Sequence, residues 1–466
     1  MQAPKSVGRM TEKASFAFPD ILKRLEGLGA GAGQTEKRRA PSSLEKRWKG
    51  FGKGVLCLSR NSEATREAGT SSDQKEKRRV EMNMIEVVIV EGVRTAIGRR
   101  KGALAEYRAD ELAAVVLDEL VNRAGVDKAD IDDVILGCVT QIGEQSANIA
   151  RTAALIADFP IHVPGVTIDR QCGSSQQAVH FAAQAIASGD MDIVIAGGVE
   201  SMTREPMFSN VGNTKVSTKL REKYEIINQG LSSERMVQKW SLTREELDKY
   251  SSESHAKALD AIEKGHFDKE IVPVEVQQAN GSLKSFAIDE GPREGSTVEV
   301  LSGLKPVFDE NGVITAGNAS QMSDGASAVL LMSRKKADEL GLKPKARIVA
   351  RSVTGSDPTL MLTGPIEATK KVLLKAGLTI EDMDTYEVNE AFAQVPLVWL
   401  KDTGANPEKL NPDGGAIALG HPLGATGTKL LVTMLHRLER IGGRYGLLAI
   451  CEGMGMANAT IIERIE

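Results

Sequence analysis

The sequence predicts a large α/β protein built on a parallel sheet. Three observations carry that prediction. The first is residues 165–201, GVTIDRQCGSSQQAVHFAAQAIASGDMDIVIAGGVES. Val166 to Arg170 is β-branched enough for a strand running into Cys172. Ala178 to Ala187 is small and apolar, as a helix packed against a sheet would be. Asp192 to Ala196 is the next buried strand. Strand, sharp turn, helix and strand make a βαβ unit. The second is composition: 45 glycines with aromatics at only 4% suit tightly packed layers joined by many βα turns. The third is a weak internal echo. ASAVLLMSRK at 326–335 and ANATIIERI at 457–465 both read as closing strands after a Gly-containing turn, a hint of duplication.

Size and charge narrow the class. The chain has 466 residues, 41% of them hydrophobic, enough for two or three domains. Its net charge of −4 argues against a nucleic-acid binder. Four cysteines (57, 138, 172 and 451) make no disulfide framework in a chain of this length, which points to a reducing, cytoplasmic setting. No apolar run approaches the ~20 residues a membrane span needs. Residues 1–84 stand apart, with about 18 Lys and Arg against about 10 Asp and Glu. They are expected to be a disordered extension. They could be a targeting peptide, against which their acidic residues count, or a nucleic-acid arm; the plainer reading, and the preferred one, is that translation starts at Met82 or Met84.

From Ile85 the elements follow in order. IEVVIVEGVRTAIG is a strand and a turn. Asp110 to Ala124 is an amphipathic helix, with Asp110 as its expected cap. VILGCVTQ is a strand carrying Cys138, read as a core residue. Asn148 to Phe159 is a helix leading to the Cys172 unit. From Met202 to about Thr315 charged helices alternate with loops, as in an insertion laid over a sheet. His255 and His266 there are expected to be surface residues. ASAVLLMSRKKADELGL returns to strand and helix, and ARIVARSVTGSDP is a strand. ATKKVLLKAGLTIEDMDTYEVNEAFAQVPLVWL gives helix, strand and helix. Thr428 to Ile441 is a helix, and YGLLAICEGMGMANATIIERI is a pair of strands.

Four places carry chemistry. Cys172 opens a helix, where free amides and the helix dipole favour a thiolate. The bland reading is a buried core cysteine. Asn411 to Thr428, NPDGGAIALGHPLGATGT, is a Gly-rich loop with His421 between Gly420 and Pro422. It lacks the context of a dinucleotide loop and the spacing of a phosphate loop, so it reads as a rigid turn presenting one imidazole. A cysteine with a distant histidine is a nucleophile-and-base pattern, weak alone. Cys451 leaves a buried strand into a turn with Gly453 and Gly455, copying the design at Cys172. Asn389 ends a strand and is placed to cap the helix after it.

Together these motifs identify a resemblance. QCGSSQQA (171–178), GGVESM (197–202), NASQMSDGA (318–326), NEAFA (389–393), GHPLGATG (420–427) and CEGMG (451–455) are similar to those of the thiolase family. They stand in its order and spacing from Ile85 onward. The resemblance implies a five-layer αβαβα fold of two similar halves. The first spans 85–344 and carries a loop domain at 202–315; the second spans 345–466. It implies a homodimer or homotetramer that acts on acyl-CoA and coenzyme A as substrates, with no metal or cofactor. It assigns Cys172 as nucleophile, His421 as its base and Cys451 as acid/base. Asn389 would hold a water that forms one oxyanion hole with His421, and the backbone amides of Cys172 and Gly453 the other. Ser320 and Ala316 would contact the pantetheine arm. Short-chain acetoacetyl relatives carry His-Met where this chain has Asn228 and Gln229. With Met361 these residues are assigned to the acyl pocket, and a 3-ketoacyl-CoA thiolase is preferred over an acetyl-CoA acetyltransferase. Cys451 argues against a decarboxylating ketoacyl synthase, which has histidine there. A non-catalytic lipid-binding protein would be expected to lose catalytic groups.

Overall fold

The computed structural model describes residues 85–465 apart from Ala279. The basic segment 1–84, and the expectation of disorder there, lie outside the described residues. In chain order, β1 (Val87–Thr95) and the short β2 (Gly98–Arg99) lead to α1 (Ala109–Ala124) and β3 (Asp133–Gly137). Then come α2 (Ile149–Ile156), β4 (Gly165–Ile168), α3 (Ser174–Ser188) and β5 (Ile193–Ser201). The irregular region holds α4 (Thr218–Arg221), α5 (Gln229–Trp240), α6 (Arg244–Glu263), β6 (Ile271–Val272), β7 (Val274–Gln277), β8 (Leu283–Phe286) and α7 (Val298–Ser302). Regular structure resumes with β9 (Ser323–Ser333), α8 (Arg334–Glu339), β10 (Ala346–Gly355), α9 (Gly364–Ala376) and β11 (Thr385–Val388). The chain closes with α10 (Gln394–Thr403), α11 (Ala416–Leu419), α12 (Thr426–Ile441), β12 (Tyr445–Glu452) and β13 (Met456–Arg464).

The strands line up in the order β11-β12-β13-β10-β1-β9-β5-β3-β4. The sequence echo has a structural counterpart. β9 pairs antiparallel with both β1 and β5, and β13 pairs antiparallel with both β10 and β12. β3 runs parallel to β5, as β11 does to β12. The halves meet where β1 pairs antiparallel with β10.

Strand alternation sorts side chains into layers. On β1, Val88 and Val90 enter a core with α1 and α2, whereas Val87 and Ile89 enter a core with α3 and α12. On β12, Leu448 and Ile450 join that same α3–α12 core, and Leu447 and Ala449 join a third core with α9 and α10. Three apolar cores hold five layers together, the middle one built around α3 and α12. The central helices touch closely: a Cβ on Gly427 would overlap the backbone nitrogen of Gln176.

Several details differ from the sequence reading. Asp110 is not the cap of α1. Arg108 is, with extended ψ 141, and Asp110 sits one residue inside. There its carboxylate accepts from Glu111 N and pairs with Arg108 at 2.7 Å. The irregular region is not wholly separate from the sheet, because β6 pairs parallel with β1 through Arg94↔Ile271. It also contains the antiparallel hairpin β7–β8. His255 is buried rather than on the surface, its Nδ1 accepting from Arg293 N at 3.2 Å, and burial holds the ring down to about 4. His266 lies just past α6, half-buried, with Nδ1 2.9 Å from Asp413. Among the described residues, no helix is long and apolar enough to cross a membrane.

Candidate active site

The nucleophile candidate sits on a tight turn between β4 and α3. Gly173 N donates to Arg170 O at 3.1 Å and Ser174 N to Gln171 O at 3.0 Å. Asp169 accepts from Gln171 N at 2.6 Å. This holds Gln171 at φ 48, a left-handed conformation that is uncommon outside glycine. The turn places Cys172 before the helix with only 8% exposure. Two effects oppose each other at its thiol. An amide hydrogen bond at the turn favours the thiolate, but burial opposes it, and the neighbouring Cys451 and Glu452 add to burial. Burial wins, and the thiol is pushed well above its usual range. The thiolate expected from helix position alone is therefore not the resting state.

His421 follows Gly420, whose φ of 97 only glycine adopts readily. Its backbone N–H bonds Gln321 O at 3.1 Å, which locks the turn. The ring makes two further contacts. Nδ1 lies 2.6 Å from Thr426 Oγ1, and Nε2 lies 3.3 Å from Asn389 Nδ2. The Thr426 hydroxyl already donates to Pro422 O at 2.8 Å. Having one proton to give, it must accept from Nδ1–H. The basic lone pair is then on Nε2. Burial, then the charge of Lys429, holds the imidazole down to about 3. It rests neutral.

Cys451 is the last residue but one of β12. Burial pushes its thiol up to about 12, although hydrogen bonds from Asn389 and from the Ala391 amide pull the other way. Asn389 thus stands between Cys451 and His421. It does not cap α10, which begins five residues later with Ala393 in the cap position. Its Oδ1 is buried and has no hydrogen-bond partner.

The other predicted residues divide. A Cβ on Gly453 would stand 3.0 Å from Gln171 Oε1 and 3.3 Å from Gln229 Nε2, so Gly453 lies between the nucleophile turn and the start of α5. Ser320 lies along the Asn389 segment, its N–H donating to Ala391 O at 3.0 Å. Ala316 is exposed on the loop leading to it. Asn228 caps α5, accepting from Gly230 N at 2.8 Å, so its amide oxygen is committed to the helix. Gln229 is the member of that pair that reaches the site. Met361 packs into the outer core of the second half.

Three positions escaped the sequence reading. Thr426 orients His421. Glu200 accepts from the backbone of Val139, Thr140 and Gly424, tying β5 to the histidine loop. Glu390 accepts from Tyr250, Ser254, Asn411 and Ile417, tying the irregular region to the asparagine turn. The available signal was a carboxylate inside an otherwise small and apolar motif, GGVES or NEAFA. Among the described residues no cluster of His, Cys, Asp and Glu could hold a metal ion.

A family model described as thiolase, N-terminal domain, matches residues 87–335, and one described as thiolase, C-terminal domain, matches 342–464. A steroid 3-ketoacyl-CoA thiolase of Mycobacterium tuberculosis is 52% identical, over 82% of this chain and 95% of that one. An acetyl-CoA acetyltransferase of Chromobacterium violaceum is 45% identical, and a 3-ketoacyl-CoA thiolase of Klebsiella pneumoniae is 44% identical, each over 82% of this chain and 100% of its own. The crystal structure of the Bacillus anthracis acetyl-CoA acetyltransferase superposes with a TM-score of 0.76 at 42% identity, covering 82% of this chain and 99% of that one.

Proposed function

The chain belongs to the thiolase family of acyltransferases, and on that premise we propose that it cleaves 3-ketoacyl-CoA with coenzyme A, through an acyl group carried on Cys172. One observation carries the site assignment. Cys172 from the first half converges with Asn389, His421 and Cys451 from the second, in a setting where every resting group is neutral.

The steps balance. His421 Nε2 takes the Cys172 proton as the sulfur attacks the 3-carbonyl. The C2–C3 bond breaks, and Cys451 protonates the departing enolate to release acetyl-CoA. Coenzyme A then gives its thiol proton to Cys451 and attacks the acyl-cysteine. Cys172 leaves and recovers its proton from His421. A thiol raised to about 12 holds its proton until a strongly basic carbanion forms, which suits the acid role. The unpaired Asn389 Oδ1 can hold a water, and that water with His421 would form one oxyanion hole. The amides of Cys172 and Gly453 would form the other. Ser320 and Ala316 would meet the pantetheine arm. Coenzyme A is a substrate here, and no metal or cofactor enters.

Substrate choice is a further proposal. The 52% relative is named for steroid 3-ketoacyl-CoA, which favours an acyl group larger than acetoacetyl in a degradative role such as β-oxidation. Gln229 lies beside Gly453, and in this reading it would line the path of such a group. The second reading, condensation of two acetyl-CoA, is favoured by relatives named acetyl-CoA acetyltransferase. The test compares kcat/KM for acetoacetyl-CoA, a C8 3-ketoacyl-CoA and a steroid-side-chain 3-ketoacyl-CoA, following loss of enolate absorbance. Preference for either larger substrate is expected; preference for acetoacetyl-CoA would select the second reading. We also propose a cytoplasmic homodimer or homotetramer. Among the described residues, edge strand β4 has no neighbour on one side, and Leu155, Ile156, Ile161 and Val166 nearby are exposed. A monomer by light scattering would overturn that.

A further inference from the structure

Glu452 follows Cys451 directly and has no part in the steps above. Its side chain is fully buried, and neither carboxylate oxygen has a hydrogen-bond partner. Strand alternation shows where it faces. Cys451 joins the outer core of the second half, while Leu448 and Ile450 face the central helices. Glu452 shares their side of β12 and faces the start of α3. The surroundings of Gly173 agree: a Cβ there would overlap Glu452 Oε1 and would stand 2.9 Å from both side-chain amide atoms of Asn458. Asn458, on β13, donates Nδ2 to the Gly173 carbonyl at 3.0 Å. Its own Oδ1 is buried with no donor.

Unpaired acceptors therefore crowd one point beneath the nucleophile's turn. A buried acceptor without a partner costs about 1–3 kcal/mol. A single proton resolves the conflict, because a carboxylic O–H can donate to Asn458 Oδ1 while a carboxylate cannot. The charged and titratable groups around Glu452 are few. Burial raises its pKa most, to about 8; Arg170 of the turn opposes this and Asp169 at the end of β4 adds to it. The thiols of Cys172 and Cys451 both feel its charge. Facing it are the neutral Asn458 of β13 and the neutral Gly173 before α3; Nε of Arg170 in the turn is buried with no hydrogen-bond partner.

We propose that Glu452 is a positioning residue held as a neutral carboxylic acid, whose proton bridges to Asn458 and so supports the Gly173 carbonyl, and whose ionisation opposes thiolate formation on Cys172. The neutral form leaves the amides at the start of α3 free to favour the thiolate. The carboxylate sets a negative charge against them. The sign follows: below pH about 8 the acid is protonated, and above it the nucleophile becomes harder to ionise. The meaning for catalysis rests on Cys172 being the nucleophile, but the test reads the thiol itself.

That test is the rate of Cys172 alkylation by iodoacetamide from pH 6 to 10.5, mapped by peptide mass spectrometry. The full-length protein is compared with Glu452→Gln and Asn458→Ala. In the parent, the rise in rate should flatten above pH about 8. In Glu452→Gln, neutral at all pH, it should keep climbing and exceed the parent about tenfold at pH 9.5, the effect of one pKa unit. In Asn458→Ala the neutral acid loses its acceptor, so the flattening should begin at lower pH. Superimposable profiles for the parent and Glu452→Gln would overturn the charge effect. An unmoved flattening in Asn458→Ala would overturn the bridge. Alkylation that follows the expected pattern in a protein without thiolase activity would sink the proposed function and leave this inference standing.

Discussion

A hydroxyl has one proton to give, and at Thr426 that proton decides which side of His421 is basic. Because it goes to Pro422 O, the ring must donate through Nδ1, leaving the Nε2 lone pair to accept from Asn389 Nδ2. Thr426→Val keeps the shape and loses the acceptor. It should lower kcat/KM by about 10–100-fold, within what a positioned general base contributes, while Thr426→Ser restores most of it. The melting temperature should stay nearly constant across the three, and a fully active valine variant would remove the role. The two cysteines should separate in the same way. Acetyl-CoA should acetylate Cys172 in a Cys451→Ala protein, because acyl loading needs no enolate protonation. Cys172→Ala should take no acetyl group. A label on Cys451 in the parent would reverse the roles. The chemical types at this site were legible in the sequence because Cys172 and His421 each stand beside glycine in a turn, and Cys451 lies two residues before Gly453 at the close of a buried strand. Their ionisation was not. Helix position argued for a Cys172 thiolate, but burial is summed over residues far apart in sequence and outweighs it.

At the scale of elements, the site depends on how closely α3 and α12 approach, since one follows Cys172 and the other follows His421. Gly427 permits that approach. Its hypothetical Cβ meets the backbone nitrogen of Gln176, which cannot rotate away as a side chain could. Gly427→Ala should therefore destabilise by about 1–3 kcal/mol through overpacking, read as a lower urea midpoint with an unchanged slope. The separation of the helices should also cost activity, so a variant with parental midpoint and turnover would show that the layer yields freely. Most strands and helices were legible from periodicity, including the β12–β13 pair. Helix starts were less so. Asp110 and Asn389 have good capping side chains, but the backbone entered α1 and α10 elsewhere. β6 was invisible for another reason: two residues carry no period, and only their pairing with β1 makes them a strand. The β7–β8 hairpin did leave a trace, since Val274 and Val276 alternate with exposed residues and an Asn-Gly turn follows.

For the whole molecule, the proposed reacting groups stand at the carboxyl ends of parallel strands, Cys172 after β4, Asn389 after β11 and Cys451 one residue before the end of β12, where open α/β sheets place their ligands. Both halves contribute, so their relative position must be held to fractions of an ångström. Arg94 is placed to do this. It is fully buried on β1, in the first half. Its guanidinium donates to Glu270 at 2.6 Å and grips Asp289 with two bonds of 2.8 and 2.9 Å, both partners belonging to the irregular region. Glu270 also accepts from Thr433 on α12, in the second half, at 2.9 Å. One cation thus joins three parts of the chain. Burying charge is costly, so the cluster as a whole need not add much stability, but removing the cation hydrogen-bonded to both carboxylates leaves Glu270 and Asp289 with only the longer-range charge of buried Lys429 among the described residues. Arg94→Met should therefore cost about 3–5 kcal/mol, measured by urea unfolding at fixed protein concentration. Arg94→Lys should recover little of it, because an ammonium cannot span both carboxylates in the geometry of the guanidinium fork. Replacing Arg94, Glu270 and Asp289 together by apolar residues should be milder than Arg94→Met alone. If Arg94→Met instead unfolds within about 1 kcal/mol of the parent, a value typical of exposed ion pairs, then the halves are held by their apolar layers, and this cluster does not set their position.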